Sequence, residues 1–319
     1  MIDPHVHCRD GKQAYKETIA HVFEIAKEQG VEKIFDMPNT DPPILYEHDV
    51  QERLKLVPVD RLGDYYLYVG ATADEKQLEG AVECYDKYTE VIGIKLHASN
   101  SRGILSVVEI EEQRRIYKIL SALGYRGVIA VHCEKEDYLK EALWDPSAPI
   151  THSYARPEEA EIESVKDQIA LVRETDFKGI LHIVHVSSPG AVELIDKAKT
   201  GREMNVTCGV TPHHILWDNE MLAGQDGLLY RMNPPLREKK SIEKLREYLK
   251  EGKIDWIETD HAPHARGEKL FHPYLPGYPS LYLYGDFVNQ ILPGIGISKE
   301  QIKKLTSDNI YEIFGNKIR

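Results

Sequence analysis

Short apolar runs alternate with amphipathic stretches along the chain, and the alternation repeats eight times. Read as strands, the apolar runs are Ile2–His7, Lys33–Asn39, Tyr65–Ala71, Val91–His97, Gly127–His132, Gly179–His185, Asn205–Pro212 and Asp255–His261. Helical spacing marks most of the stretches between them. Tyr15, Ile19, Val22, Phe23 and Ala26 share one face of the first, and Gly30 ends it. Ser188 and Pro189 open another, a capping residue followed by proline at the first helical position, with Val192, Ile195 and Ala198 on one face. A last helix near residues 298–315 begins at Ser298, with Gln301 closing a capping box, and packs Ile310 and Phe314 on the barrel. Strands alternating with helices predict a parallel sheet. Eight such units predict an α/β architecture, a (β/α)8 TIM barrel over residues 1–319 as a single domain.

The polar residues that interrupt this pattern sit at the C-terminal ends of the strands, where barrel enzymes place their chemistry. His5 and His7 are two apart in an extended segment, so both side chains leave the same face and can reach one metal ion. A lone His-x-His pair carries little weight. Here Lys95, His132, His185 and Asp260 each stand at the end of a separate apolar run, and that convergence points to a metal-dependent hydrolase. Neutral imidazoles and a carboxylate suit a borderline divalent ion such as Zn2+. Four imidazoles, a carboxylate and a lysine exceed the needs of one tetrahedral ion, which predicts two ions ~3.5–4 Å apart. Lys95 has two readings. Its amine can add carbon dioxide to form a carbamate, which converts a cation into a bridging anion. Alternatively it binds a substrate carboxylate or points to solvent. His97 follows Lys95 by two and stays unassigned, while His213 and His214 read as packing residues or supports for ligands. His21, His48, His152, His182 and His272 read as surface or packing residues.

Composition narrows the partners. Lys and Arg total 40 against 52 Asp and Glu, a net charge of −12, which argues against nucleic-acid or anionic-membrane partners. Any anionic substrate must then be captured by local cations. The four cysteines, Cys8, Cys84, Cys133 and Cys208, form no CxxC pair, so neither a disulfide framework nor a structural zinc knot is expected. Cys8 and Cys133 each follow a ligand candidate directly and read as small core residues facing away from it. No apolar run approaches the ~20 residues of a membrane span, and the start of the chain lacks a leader's basic and apolar regions. The expectation is a cytoplasmic protein acting on a small molecule. Two longer connections, Glu134–Arg156 and Ala262–Ser280, stand out, and the second reads as a substrate-covering loop.

These residues resemble the amidohydrolase superfamily, and within it the dihydroorotases and related cyclic amidohydrolases. Asp3-x-His5-x-His7-x-Arg9 is similar to the first-strand motif, in which Arg9 would grip a substrate carboxylate. Asp36-Met37-Pro38-Asn39-Thr40 is similar to the second-strand motif, in which Asn39 would assist it. Asn233-Pro234-Pro235-Leu236-Arg237 and Thr259-Asp260-His261-Ala262-Pro263-His264 resemble dihydroorotase signatures. Arg156-Pro157-Glu158-Glu159-Ala160-Glu161 resembles the larger bacterial branch and the hydantoinases. That branch builds a side β-sandwich partly from residues before the His-x-His, and four residues precede it here, so the sandwich is expected to be absent or vestigial. Gly93-Ile94-Lys95-Leu96-His97-Ala98 looks like the lysine-carbamate branch.

The resemblance implies reversible conversion of dihydroorotate to N-carbamoyl-L-aspartate in pyrimidine synthesis. Water would be activated by one or two Zn2+ ions held by His5, His7, Lys95, His132, His185 and Asp260, with Asp260 as proton shuttle. Arg9, Asn39 and His264 would hold the substrate carboxylate, and Asn233 the ring edge. A hydantoinase, dihydropyrimidinase or allantoinase would share the metal set but has no obvious use for a carboxylate clamp. An inactive scaffold homologue would be expected to lose ligands, and this chain keeps every candidate. The resemblance also leaves room for a homodimer or association with other pyrimidine enzymes.

Overall fold

The computed structural model describes residues 1–100, 103–201 and 204–318. Eight parallel strands follow one another around one sheet in chain order. They are β1 (Ile2–Val6), β2 (Lys33–Asp36), β3 (Tyr65–Gly70), β4 (Val91–Ala98), β5 (Val128–Cys133), β6 (Ile180–Ile183), β7 (Asn205–Val210) and β8 (Trp256–Ile257). The helices Ile19–Glu28, Glu47–Leu54, Glu75–Lys87, Ile110–Ala122, Glu158–Glu174, Pro189–Thr200 and Lys239–Glu251 fill the seven connections. The chain is a (β/α)8 barrel. Strands covered on both faces need continuous apolar runs, which is why this sequence reads as runs more than as alternation.

Two apolar layers hold the barrel. The larger lies between strands and helices and includes Cys8 and Cys133, both buried. The smaller fills the interior with Phe35, Tyr66, Tyr68 and Trp256, joined by Ile310, Phe314 and Ile318 from the C-terminal helical segment. Phe314 meets Phe35 edge-on at 5.1 Å between ring centroids. The interior is therefore packed solid below the strand ends, and open chemistry is confined to the C-terminal mouth.

Several local readings shift for identifiable reasons. Tyr15 is 66% exposed and lies outside the first helix, which starts at Ile19 where Thr18 Oγ1 accepts the His21 N–H at 3.2 Å. Ser188 precedes Pro189 as expected, but its side chain makes no cap bond, because Glu161 accepts the backbone N–H groups of Ser187 and Ser188. Ser298 Oγ accepts from Gln301 N at 3.2 Å, yet the Gln301 amide turns to the Leu249 carbonyl, so the box is not reciprocal. Pro212 begins a short helix, Pro212–Leu216, and does not end a strand. β8 pairs over only two residues, and three residues past its end Asp260 adopts a left-handed backbone (φ 48°).

At the mouth, Asp36 is fully buried and accepts hydrogen bonds from Arg53 Nε (2.9 Å), Arg53 Nη2 (2.6 Å), the Tyr65 hydroxyl (2.6 Å) and Cys8 N (2.9 Å). Arg53 Nη1 also donates to the carbonyl of Arg9, which fixes a backbone that carries φ 54°. Breaking this buried pair strands a charge. Arg53→Met should therefore lower unfolding free energy by about 3–5 kcal/mol, read from urea denaturation. A loss below about 1 kcal/mol would show that Asp36 is satisfied without it.

Candidate active site

The first and last strands deliver three groups to one point. His7 Nε2 lies 2.9 Å from Asp260 Oδ1, and His5 Nε2 lies 3.3 Å from the same oxygen. All three residues are buried, and their potential ligand atoms lie within 4.8 Å of one another. Burial pushes the His7 pKa down to about 3, outweighing the pull of Asp260, so the imidazole is neutral. Burial disfavours the Asp260 carboxylate, but its hydrogen bond to His7 and the surrounding imidazoles win, and its pKa falls well below the usual range. A neutral His7 imidazole beside an ionised Asp260 carboxylate matches the protonation states that a divalent ion requires.

A second pair faces the first across the mouth. His132 Nδ1 lies 3.1 Å from His185 Nε2, and the His5 and His185 rings are 5.2 Å apart. Burial, reinforced by the neighbouring His132, drives the His185 pKa far down. His132 uses its other nitrogen, Nε2, against Glu134 Oε2 at 2.9 Å. Glu134 in turn receives Arg156 Nε (2.9 Å) and Nη2 (2.8 Å). A carboxylate behind an imidazole fixes the tautomer that leaves the inner nitrogen free to bind. Lys95 is buried on β4 and close enough to His185 to lower its pKa, and His97 two residues on stacks against His132 at 6.1 Å. The donor set, its burial and its neutral imidazoles fit divalent metal.

Three of these residues stand on strained backbone. Among the described residues, positive φ at non-glycine positions occurs at Arg9, Asp10, Asp176, His185, Asp260 and Tyr274. Half of them are site candidates, and each costs roughly 1–3 kcal/mol. The strain ends strand pairing where these side chains must turn into the mouth.

The rim carries the remaining candidates. Arg9 is buried, donates from Nε to Pro263 O at 3.1 Å, and brings Nη2 to 3.2 Å from His264 Nε2. His264 Nε2 also lies 3.1 Å from the carbonyl of Pro276, while Lys16 Nζ lies 3.3 Å from Nδ1. The Pro276 carbonyl can only accept and the Arg9 guanidinium can only donate, so no single tautomer of His264 serves both at Nε2. Asn39 keeps both polar side-chain atoms buried with no hydrogen-bond partner among the described residues. Orphaned amides of this kind are rare and point to a ligand. Asn233 belongs to another wall, where its Oδ1 lies 3.0 Å from His152 Nε2 and Arg231 stacks over Trp144 at 4.5 Å. His152 is thus a buried support for Asn233, and His214 is held at both nitrogens by Thr211 and Pro234. His213 has both ring nitrogens buried and unpartnered.

The loop Ala262–Ser280 is pinned over the mouth from two sides. Glu268 takes the Tyr15 hydroxyl (2.7 Å) and pairs with Lys16 (3.0 Å), and Lys269 Nζ donates to Arg231 O at 3.0 Å. Sequence reasoning missed Lys16, Glu134 as a ligand support, and Glu258. For the two carboxylates the signal was available. Each lies two residues from a ligand candidate, the same spacing that joined His5 to His7.

Comparison with known proteins follows this geometry. No protein-family model matches the chain. A dihydroorotase from Halobacterium salinarum is 30% identical over 321 residues, covering 99% of this chain and 71% of the relative. A dihydroorotase from Aeropyrum pernix is 30% identical over 303 residues, 94% of this chain and 66% of the relative. The chain thus spans about two thirds of the length of such relatives. Among solved structures, an L-hydantoinase (dihydropyrimidinase) from Arthrobacter aurescens superposes with a TM-score of 0.83 at 24% identity, over 98% of this chain and 70% of that one. A dihydropyrimidinase from Brevibacillus agri gives 0.81 at 24% identity, again over 98% and 70%. The structural likeness speaks for the barrel, while sequence identity sustained along nearly all of the chain reaches further. By that measure, the chain belongs to the dihydroorotase family.

Proposed function

We propose that this chain interconverts dihydroorotate and N-carbamoyl-L-aspartate by hydrolysis and closure of the ring amide. The observation that carries this reading is the rim. Arg9, Lys16 and His264 gather beside the buried His5, His7 and Asp260, and Asn39, just past the end of the neighbouring strand β2, keeps a buried amide without a hydrogen-bond partner among the described residues. An anionic group belongs there, and dihydroorotate has a ring carboxylate next to its scissile amide. Arg9 can meet a carboxylate through two parallel hydrogen bonds, which orients the ring as well as binding it. Hydantoin, dihydrouracil and allantoin carry no such carboxylate and would leave these groups unused.

His5, His7, Lys95, His132, His185 and Asp260 would hold one or two divalent ions, and a carbamate on Lys95 would give that site a further anionic donor. Bound there, such ions, zinc foremost, would polarise the amide carbonyl and make water nucleophilic at neutral pH. The remaining steps belong to the chain. Asp260 is ionised, so it accepts a proton from the attacking water at a carboxylate oxygen and passes it to the departing ring nitrogen. Ring closure runs the same transfer backwards. The side chains of His7 and His185 are kept neutral by burial and do not compete for that proton. The loop Ala262–Ser280 limits water at the mouth, and its tie to Lys16 links loop closure to the carboxylate site.

Three outcomes are expected. Zinc-loaded protein should hydrolyse dihydroorotate and leave hydantoin, dihydrouracil and allantoin untouched, and Asp260→Asn should lower kcat by about 10²–10⁴-fold. Turnover of the uncharged rings alone would overturn the assignment. Arg9→Met should reduce kcat/KM for dihydroorotate by roughly 10–100-fold, the worth of a charge-assisted hydrogen bond or two, without improving the uncharged rings. An unchanged kcat/KM would remove Arg9 from the substrate site. Finally, labelled bicarbonate should give a carbamate resonance in the carbon spectrum of the wild-type protein that is missing from Lys95→Ala. Identical spectra would leave Lys95 an ammonium.

A further inference from the structure

Glu258 lies two residues before Asp260, is completely buried, and takes no part in the chemistry proposed above. Its two oxygens are both engaged. Oε2 accepts the Trp256 indole N–H at 3.1 Å and faces His182 Nε2 at 3.1 Å. Oε1 accepts the backbone N–H of His185 and stands 3.7 Å from His5 Nδ1. His182 is itself fixed, with Nδ1 3.0 Å from Thr207 Oγ1 and its ring packed on Trp256 at 4.3 Å between centroids. An indole or backbone N–H can only donate, so Glu258 works here as an acceptor on both oxygens.

Such a group is expensive to bury, and several kcal/mol of desolvation must be offset by its contacts. The barrel also makes room for it. A side chain on Gly209 of β7 would put its Cβ 2.5 Å from Glu258 Cδ, a distance that packed atoms do not tolerate. A glycine spared for a carboxylate, with a tryptophan and a histidine turned toward it, is a built arrangement. Its targets explain it. His5 has two nitrogens, and Nε2 is the one turned to Asp260. If Nε2 gives its lone pair to an ion, the proton resides on Nδ1, which faces Glu258 Oε1. The same oxygen holds the backbone of His185, whose φ of 39° needs an anchor.

We propose that Glu258 is a positioning residue for the metal centre. It fixes His5 as the Nδ1–H tautomer while holding His185 in its left-handed conformation, so one carboxylate orients a ligand in each half of the site. The inference rests on the metal reading given under Proposed function, and the test separates the two. Zinc affinity is measured by chelator competition on the wild-type chain and on Glu258→Gln, together with the absorption spectrum of the cobalt-loaded proteins. The wild type should bind zinc. The variant should bind it about 10–100-fold more weakly, with shifted cobalt bands, and with kcat reduced while KM for dihydroorotate stays within about twofold. Should Glu258→Gln not fold, Trp256→Phe keeps the carboxylate but removes one donor, and a smaller weakening in the same direction is expected. A folded Glu258→Gln with wild-type affinity and spectrum would overturn the proposal, as would Trp256→Phe with unchanged affinity in its place. A wild-type chain that takes up no zinc would instead overturn the metal reading itself.

Discussion

One ligand candidate stands on the first strand, a second just past its end and a third just beyond the last, so this site exists only if the barrel closes. The closing seam is thinly bonded. The two residues of β8 pair with β7, and toward β1 the described residues offer the His7 N–H donating to His261 O at 2.8 Å beside a bridge from Val6 to His261. Side chains supply the rest. Asp3 accepts from the backbone N–H of Thr259 at 3.0 Å and from its hydroxyl, and burial lifts the Asp3 pKa to about 7. Ser280 reaches back to the Thr259 carbonyl, and the Leu281 N–H donates to His261 Nδ1. The segments that shut the barrel are thus the ones that carry His5, His7, Arg9, Asp260 and His264. Closure and site assembly are one event.

The mouth also gathers more buried polar groups than a hydrophobic core tolerates, and several of them are satisfied from behind. Glu134 holds His132 and is itself held by Arg156, whose carbonyl accepts from Arg237. Arg237 continues to Ser187 at 2.9 Å and to Glu161 on the helix Glu158–Glu174. Asp36 and Arg53 do the same for Arg9 on the opposite side. At low dielectric an unpaired member of such a network is costly, whereas a satisfied network is rigid. Rigidity is what a ligand set needs, because imidazoles must aim within a few tenths of an ångström to share an ion.

Much of this was legible in the sequence because one rule, that alternate residues of a strand share a face, governs both fold and site. It located His5 with His7. Applied more widely, it would also have tied Glu134 to His132 and Glu258 to Asp260. The eight strands were legible because both faces of a parallel sheet are buried, so apolar runs survive without alternation. Their ends were not. β2 stops at Asp36, before Pro38, and β8 stops at Ile257, short of a left-handed backbone at Asp260 that the Asp side chain does not announce. Tyr15 shared the helical period of Ile19 and Val22, yet tertiary contact took its hydroxyl to Glu268, 253 residues away. The capping box at Ser298 failed likewise, since Gln301 found a carbonyl on a neighbouring helix. Local rules yielded wherever a distant partner offered a better bond.

Lys16 was beyond local reading, and it bears on how an acidic protein takes up an anion. With a net charge of −12, the summed field of the chain opposes a carboxylate at long range. Screening limits that field to about 8 Å at physiological salt, so the contest is decided at the mouth. There Arg9 is buried, and the Lys16 side chain is 5% exposed, held between His264 and Glu268. Their charges act through a poorly screened medium. Lys16 comes from the loop after β1, and its partners come from the loop after β8. The cationic rim is therefore assembled by the same seam that assembles the His5–His7–Asp260 group, and the proposed selectivity for a charged ring would depend on that closure.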